Sequence, residues 1–311
     1  MGIVIIGAVF VDIKGYPDDA FIPQGRNVGS VVQVHGGVAR NVAEDIANVE
    51  LCPTFVSLVD QSGTGEDVIR KLKKHKVCTD YIRPVEDGMG SWLAVFDADG
   101  DVYASISKRP NLMPILDTLE ACGEEIFRNA DSVIVEVDID KEIVKKVLEL
   151  SERFGKKVYG VVANMSIALE RRDFLKSLAC FVCNKQEAGL LFSADYSEKD
   201  PEEMVDIISG NVQAAQIPSL IVTMGEKGAV YADVYGNKGH CPARKVHVKD
   251  TTGAGDAFCA GAAIGLTYGK SLMEACEIGS HLAASVIATS DNVCPRFLPR
   301  EIGLDIMPKE L

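Results

Sequence analysis

The run Lys249-Asp250-Thr251-Thr252-Gly253-Ala254-Gly255-Asp256-Ala257-Phe258 places two glycines and a carboxylate directly ahead of an apolar, Ala- and Gly-rich segment over 257–268. That segment reads as a buried helix, so the glycines fall at its N-terminus. The first amides of a helix lack internal partners, and the helix dipole favours negative charge there. Gly253 and Gly255 would let the backbone close on an anion with no side chain in between. Asp256 adds a proton acceptor in the same first turn. An Asp that merely starts a helix gives part of this pattern, but it does not call for glycine on both sides of Ala254. The preceding stretch 241–248 alternates as a strand does, so the expected unit is strand, glycine loop, helix.

Other residues of chemical interest stand where strands end. Asp12 follows the first apolar run, and the C-terminal end of a parallel strand is where such sheets place ligands. Gly36-Gly37-Val38-Ala39-Arg40-Asn41 is a glycine pair entering a helix; by itself it requires only a tight turn. Asn184-Lys185-Gln186-Glu187 has capping-box spacing at a helix start. Thr223-Met224-Gly225-Glu226-Lys227-Gly228 has the glycines of a hairpin turn. Lys108 and Arg109 form a basic pair, whose usual fate is a solvated loop tip.

The elements that must position these residues are legible as periodicity. Apolar runs of strand length recur at 3–6, 54–59, 132–137, 157–162, 181–183 and 220–223, with helical patterns at 39–49, 66–74, 141–154 and 201–209. Such alternation implies a mostly parallel sheet covered on both faces. Residues 13–35 and 90–108 break the rhythm with alternating, turn-rich patterns, and Asp99-Gly100 is a hairpin signal between two strands. These segments predict a separate antiparallel layer that covers a ligand.

Composition excludes several classes. The formal charge of -13 argues against nucleic acid or an anionic membrane as partner. No 18-residue apolar run occurs, and the N-terminus lacks a signal peptide's basic region, so a cytoplasmic protein is expected. The nine cysteines sit among apolar neighbours and fit reduced core residues; Cys180 and Cys183 have no second pair with zinc-like spacing. The five histidines make no helical metal pair. The stretch Gly265 to Ser271 falls one residue short of a P-loop, which leaves Gly269 as a helix C-cap, and the single glycine after the first strand disfavours a dinucleotide fold.

The ordered motifs from Asp12 to Pro295 resemble those of the ribokinase-like (pfkB) carbohydrate kinases. The resemblance implies an α/β fold: a three-layer αβα sandwich with a mostly parallel central sheet and a small antiparallel β lid. One kinase domain would span 1–311, with the lid built from about 13–35 and 90–110. It implies ATP-dependent transfer to an alcohol, with Asp256 as general base and Gly253, Ala254 and Gly255 as the anion hole. Asp12, Gly36, Gly37 and Asn41 would hold sugar hydroxyls, with Asp138 adding a contact from a strand end. Asn184 and Glu187 would organise Mg²⁺, often through water, and the nucleotide phosphates. Thr223, Gly225 and Gly228 would lie against ATP, and His281, where ribokinases commonly have Asn, would border adenine. Asp250, Thr252, Ser290 and Asn292 match the region that binds K⁺ in potassium-dependent members.

Within the family, the segments 11–16 and 36–41 look most like bacterial pseudouridine kinases, and 97–106 shares their hairpin pattern. Two departures stand out. Ser107-Lys108-Arg109 and the residues after it lack those kinases' acidic residue before a Met, and Ala163-Asn164 replaces a family Asp-Pro or Asp-x-Asn. The expected acceptor is a pseudouridine-like nucleoside or a free sugar. The alternatives are a sugar phosphate held by Lys108 and Arg109, or a non-catalytic ligand-binding relative. Exposed lid edges would permit a homodimer.

Overall fold

The computed structural model describes residues 2–97 and 102–305, so the Asp99-Gly100 turn lies outside the described residues. Strand β1 (Val4–Ile6) is followed by a long hairpin, β2 (Phe10–Pro17) and β3 (Gly29–Gly36), and then by helix α1 (Val38–Asn48). Alternation continues through β4 (Thr54–Asp60), α2 (Gly63–Lys74) and β5 (Ile82–Val85). A second strand pair, β6 (Gly90–Phe96) and β7 (Val102–Lys108), interrupts it before α3 (Pro114–Asn129), β8 (Val133–Glu136), α4 (Lys141–Phe154) and β9 (Val158–Val161). Two single-turn helices, α5 (Met165–Ala168) and α6 (Arg172–Leu175), lead to β10 (Cys180–Asn184), α7 (Lys185–Phe192), α8 (Pro201–Ala215) and β11 (Ser219–Thr223). The hairpin β12 (Ala229–Asp233) and β13 (Lys238–Cys241) precedes the packed pair α9 (Ala254–Thr267) and α10 (Leu272–Ile287).

The large sheet has the order β13-β12-β11-β10-β9-β8-β1-β4-β5. Pairing is parallel from β11 to β5, and β12 and β13 add an antiparallel edge. Alternate strand residues serve opposite cores. Ile3, Ile5, Phe55 and Val59 join one core with residues of α1, α2, α9 and α10; Val4, Ile6, Val56 and Leu58 join the other with α3, α4 and α8. Burial on both faces is why these strands read as continuous apolar runs rather than alternating ones. Among the described residues no helix is long and apolar enough to cross a membrane.

The small sheet has the order β3-β2-β6-β7. Its two outer pairings are antiparallel, as the alternation predicts, but they meet through a parallel β2–β6 pair. The chain passes through α1, β4, α2 and β5 between them, a crossover long enough to return β6 in the direction of β2. Register sets Val34, Asp12, Trp92 and Ser107 in one row. The neighbouring row, on the opposite face, includes Ile13, Leu93 and Ile106, of which Leu93 and Ile106 are 43% and 72% exposed.

Three details differ from the periodicity reading. The segment 242–248 is not a strand; Cys241 ends β13 and the chain then runs unpaired, because Pro242 has no N–H for a ladder. Helix α8 continues to Ala215, past the polar residues where its apolar pattern weakens, and α3 forms where no helix was expected. The rejected motifs behave as structural elements: Cys180 and Cys183 are buried free thiols of β10. Gly269 takes φ 83° beyond the end of α9, where Lys270 N–H returns to the Gly265 carbonyl at 2.9 Å.

Candidate active site

Gly253 is the N-cap of α9 with φ 81° and ψ −7°, and no side chain caps this helix. A Cβ at Gly253 would stand 2.1 Å from the Asn292 carbonyl oxygen, so both conformation and packing demand glycine. A Cβ at Gly255 would meet nothing within 4 Å; its surroundings are open. Ala254 N–H, expected in the anion hole, instead closes a turn on the Thr251 carbonyl at 3.2 Å. Asp256 lies half-buried in the same turn, and Asn41 Nδ2 donates to its Oδ2 at 2.6 Å. Burial pushes the Asp256 pKa up to about 6, against the hydrogen bond from Asn41 and the charge of Arg40. A carboxyl so tuned is ionised at neutral pH yet basic enough to take a proton in a reaction.

Asp256 opens into a cavity of about 510 Å³ between the large sheet and the small one. Asp12, Gly37, Asn41, Asp138, Thr252 and Gly253 share its wall, as do Phe10, Trp92 and Arg109. Gly36 does not line it but makes room for Asp12: a Cβ there would come within 2.6 Å of the Asp12 carboxylate. Burial raises the Asp12 pKa, with Lys14 and Arg40 opposing. Gly37 enters α1 with φ 97°, and its Cβ position lies 2.7 Å from the Ala8 carbonyl.

Two carboxylates stand at the end of β8. Asp138 accepts from the amides of Ala163 at 3.0 Å and Asn164 at 2.9 Å, which gives the departure at 163–164 a structural role. Asn164 in turn caps α5 by accepting from Ser166 N–H at 3.1 Å. Glu136 was missed by sequence reasoning. It is buried, lines the cavity, and accepts from the amides of Ala8 and Ala39, each at 2.8 Å, pinning the turn after β1 to the start of α1. Burial, and then the neighbouring Asp138, push its pKa up to about 8. A glutamate inside an apolar strand was the available signal, since such residues are almost never buried unpaired.

At α7 the capping box is formed: Asn184 Oδ1 accepts from Glu187 N–H at 2.8 Å and Glu187 Oε2 from Asn184 N–H at 2.7 Å. Glu187 is half-buried, its pKa raised by burial, and its charge acts on Asp256. Thr223 is the register partner of Asn184 on the adjacent strand, and the turn after it uses Gly225 and Gly228 at φ 58° and 90°. Asp250, Thr252, Ser290 and Asn292 come together around a second cavity of about 320 Å³, which shares Thr252 with the first. Asp250 Oδ1 accepts from Thr252 N–H at 2.8 Å. His281 packs edge-on to Phe297, ring centroids 5.0 Å apart, and lines neither cavity. The basic pair is divided: Lys108 is exposed and pairs with Asp87, whereas Arg109 lines the main cavity.

A glycine-capped helix beside a tuned carboxylate, at the strand ends of a doubly covered sheet, is the arrangement the pfkB motifs imply. The chain belongs to the pfkB family of carbohydrate kinases, whose model matches residues 2–293. It is 33% identical to guanosine-inosine kinase of Exiguobacterium acetylicum over 292 residues, 93% of this chain and 95% of that one. Identity to the pseudouridine kinase of Escherichia coli (strain K12) is 26%, over 84% of this chain and 82% of that one. The ribokinase of Arabidopsis thaliana, solved with ribose and ATP, superposes with a TM-score of 0.82 at 21% identity, covering 96% and 97% of the two chains. The fold is thus ribokinase-like, and the protein is a kinase.

Proposed function

We propose that this kinase transfers the γ-phosphoryl group of ATP to a hydroxyl of a ribosyl nucleoside. The observation that carries this reading is the two-sided cavity. Asp12, Gly37, Asn41 and Asp256 offer polar partners to sugar hydroxyls, and Phe10 and Trp92 offer aromatic surface to a flat base. Similarity to guanosine-inosine and pseudouridine kinases supports a nucleoside acceptor over a free sugar. The alternative of a sugar phosphate has one arginine to draw on, because Lys108 is engaged with Asp87.

In this mechanism Asp256 accepts the proton of the attacking hydroxyl, and the amides of Gly253 and Gly255 receive the charge that develops on the transferred group. Asp12 and Asn41 hold the sugar so that one hydroxyl faces Asp256. The residues present fit a hydrated Mg²⁺. Glu187 spends one oxygen on its cap and keeps the other, half-buried, for a water of a hard cation. Mg²⁺ bound with ATP would neutralise phosphate charge. Thr223, Gly225 and Gly228 form the turn assigned to the ATP phosphates, and Asp250, Thr252, Ser290 and Asn292 bring oxygen donors for K⁺ to one wall of a cavity that Lys14 and Lys71 also line. His281, which lines neither cavity, keeps the adenine-edge role that the family resemblance gives it.

The small sheet would act as a lid that keeps water from the phosphoryl group. Its outer row with Leu93 and Ile106 suits a second copy of the chain, which sedimentation would test. The function is tested by ADP release over guanosine, inosine, pseudouridine, ribose, fructose and sugar phosphates, with and without K⁺. A nucleoside should exceed ribose in kcat/KM by roughly tenfold or more. Preference for ribose or a sugar phosphate would overturn the nucleoside reading, and binding without ADP release would favour a non-catalytic relative.

A further inference from the structure

Arg40 stands between the glycine pair and Asn41, and its side chain is fully buried at 0% exposure. It lies behind the cavity rather than in its wall. Nη2 donates to Asn41 Oδ1 and, at 2.6 Å, to the His35 carbonyl; Nη1 donates to Glu44 Oε2 at 2.5 Å. Asn292 Nδ2 donates to the same Asn41 oxygen at 3.3 Å. A guanidinium has donors and no acceptor, so the Asn41 atom that faces it must be oxygen. The amide nitrogen is thereby turned to Asp256 Oδ2, 2.6 Å away.

We propose that Arg40 is a positioning residue for the base: it locks the Asn41 amide so that one Asp256 oxygen is held while the other is presented to the acceptor hydroxyl. This rests on the assignment of Asp256 as the base. A buried cation is costly unless paired, and Glu44, itself fully buried, supplies the partner. The other Glu44 oxygen lies 3.3 Å from Lys71 Nζ and 3.5 Å from His75 Nε2, so the network ties the base to α2 as well as to α1 and β3. Charge works in the same direction as geometry. Arg40 from α1, Glu187 from α7 and Asp12 from β2 act by charge on Asp256, and Asp256 in turn raises the pKa of Asp45 on α1, Glu136 on β8 and the Cys259 thiol on α9. Glu187 and Asp12 oppose its ionisation, and Arg40 favours it.

The test uses three variants of the full chain. Asp256→Asn comes first; full activity there would overturn the base assignment, separately from the role of Arg40. Arg40→Lys keeps the charge beside Glu44 but loses the fork that reaches Asn41. It should lower kcat about fivefold, the worth of one hydrogen bond, with the acid limb of the pH profile nearly unmoved. Arg40→Met combined with Glu44→Met removes both charges of the buried pair at once, leaving neither of the two unpaired. It should lower kcat and move the acid limb of kcat/KM up by about one unit. If both folded variants keep the parent kcat and acid limb while Asp256→Asn is inactive, Arg40 has no positioning role. The lysine variant decides alone if the double variant fails to fold.

Discussion

Helices α7 and α9 both begin at the site end of the large sheet, and they treat their first amides in opposite ways. At α7 the chain satisfies itself, Asn184 and Glu187 each capping the other's backbone. At α9 a glycine in the left-handed region leaves the first turn without any side-chain cap. The closed terminus spends Asn184 Oδ1, one Glu187 oxygen and two of its amides on itself and has correspondingly less to offer a ligand. The open one offers backbone donors and dipole directly. Helix α1 stands between the two: Gly37 caps it without a side-chain bond, but Glu136 accepts from Ala39 N–H in its first turn, and its start borders the cavity. The difference separates a helix start that caps itself from one whose first turn no side chain caps.

The sharpest way to break this comparison is Asp256→Ala. Turnover should fall by roughly 10² to 10⁴ with an unchanged melting temperature, measured by ADP release and thermal unfolding. Near-parent turnover would mean that the open terminus has no base beside it. The two glycines should then part company. Gly253→Ala must adopt φ 81° and push against the Asn292 carbonyl, so it should destabilise the fold by about 1–3 kcal/mol. Gly255→Ala should melt like the parent, since its Cβ meets no protein atom within 4 Å, yet lose activity because the methyl would fill the proposed anion hole. Equal melting temperatures for both would erase the distinction.

A milder probe is pH. With Asp256 pushed up to about 6, lowering the pH through that value protonates the base, so kcat/KM should decline about tenfold per unit on the acid side and level off above it. A profile flat to pH 5 would assign the base elsewhere. The smallest effect is expected at the closed terminus. Asn184→Ala should cost about 1 kcal/mol of stability in a thermal melt, the worth of a cap, with a lesser change in turnover. Loss of activity without loss of stability would reverse the contrast between the two helices.

The open terminus was readable in the sequence because glycine spacing and an adjacent Asp are local properties of 253–256. The large sheet was readable for a similar reason: strands covered on both faces must be apolar at every position. What was not readable depends on partners distant in sequence. Glu136 gains its place from amides at 8 and 39, and Asp138 from those at 163 and 164. Lys108 and Arg109 are neighbours in the chain, but the end of β7 sends them to different surroundings. The parallel β2–β6 pair follows from the route of the chain between the two hairpins, to which alternation within each is blind.

The row that carries Asp12 also carries Trp92, set edge-on to Phe96 with centroids 6.4 Å apart and exposed to the main cavity. It is the chain's one tryptophan. All indole emission from this protein therefore originates in the wall of the main cavity, the proposed acceptor site. A nucleoside entering the cavity would change that signal at first contact, whereas a nucleotide bound at α7 and the β11–β12 turn would reach it only through movement of the small sheet. The order in which the two substrates arrive is thus open to stopped-flow fluorescence on the unlabelled protein.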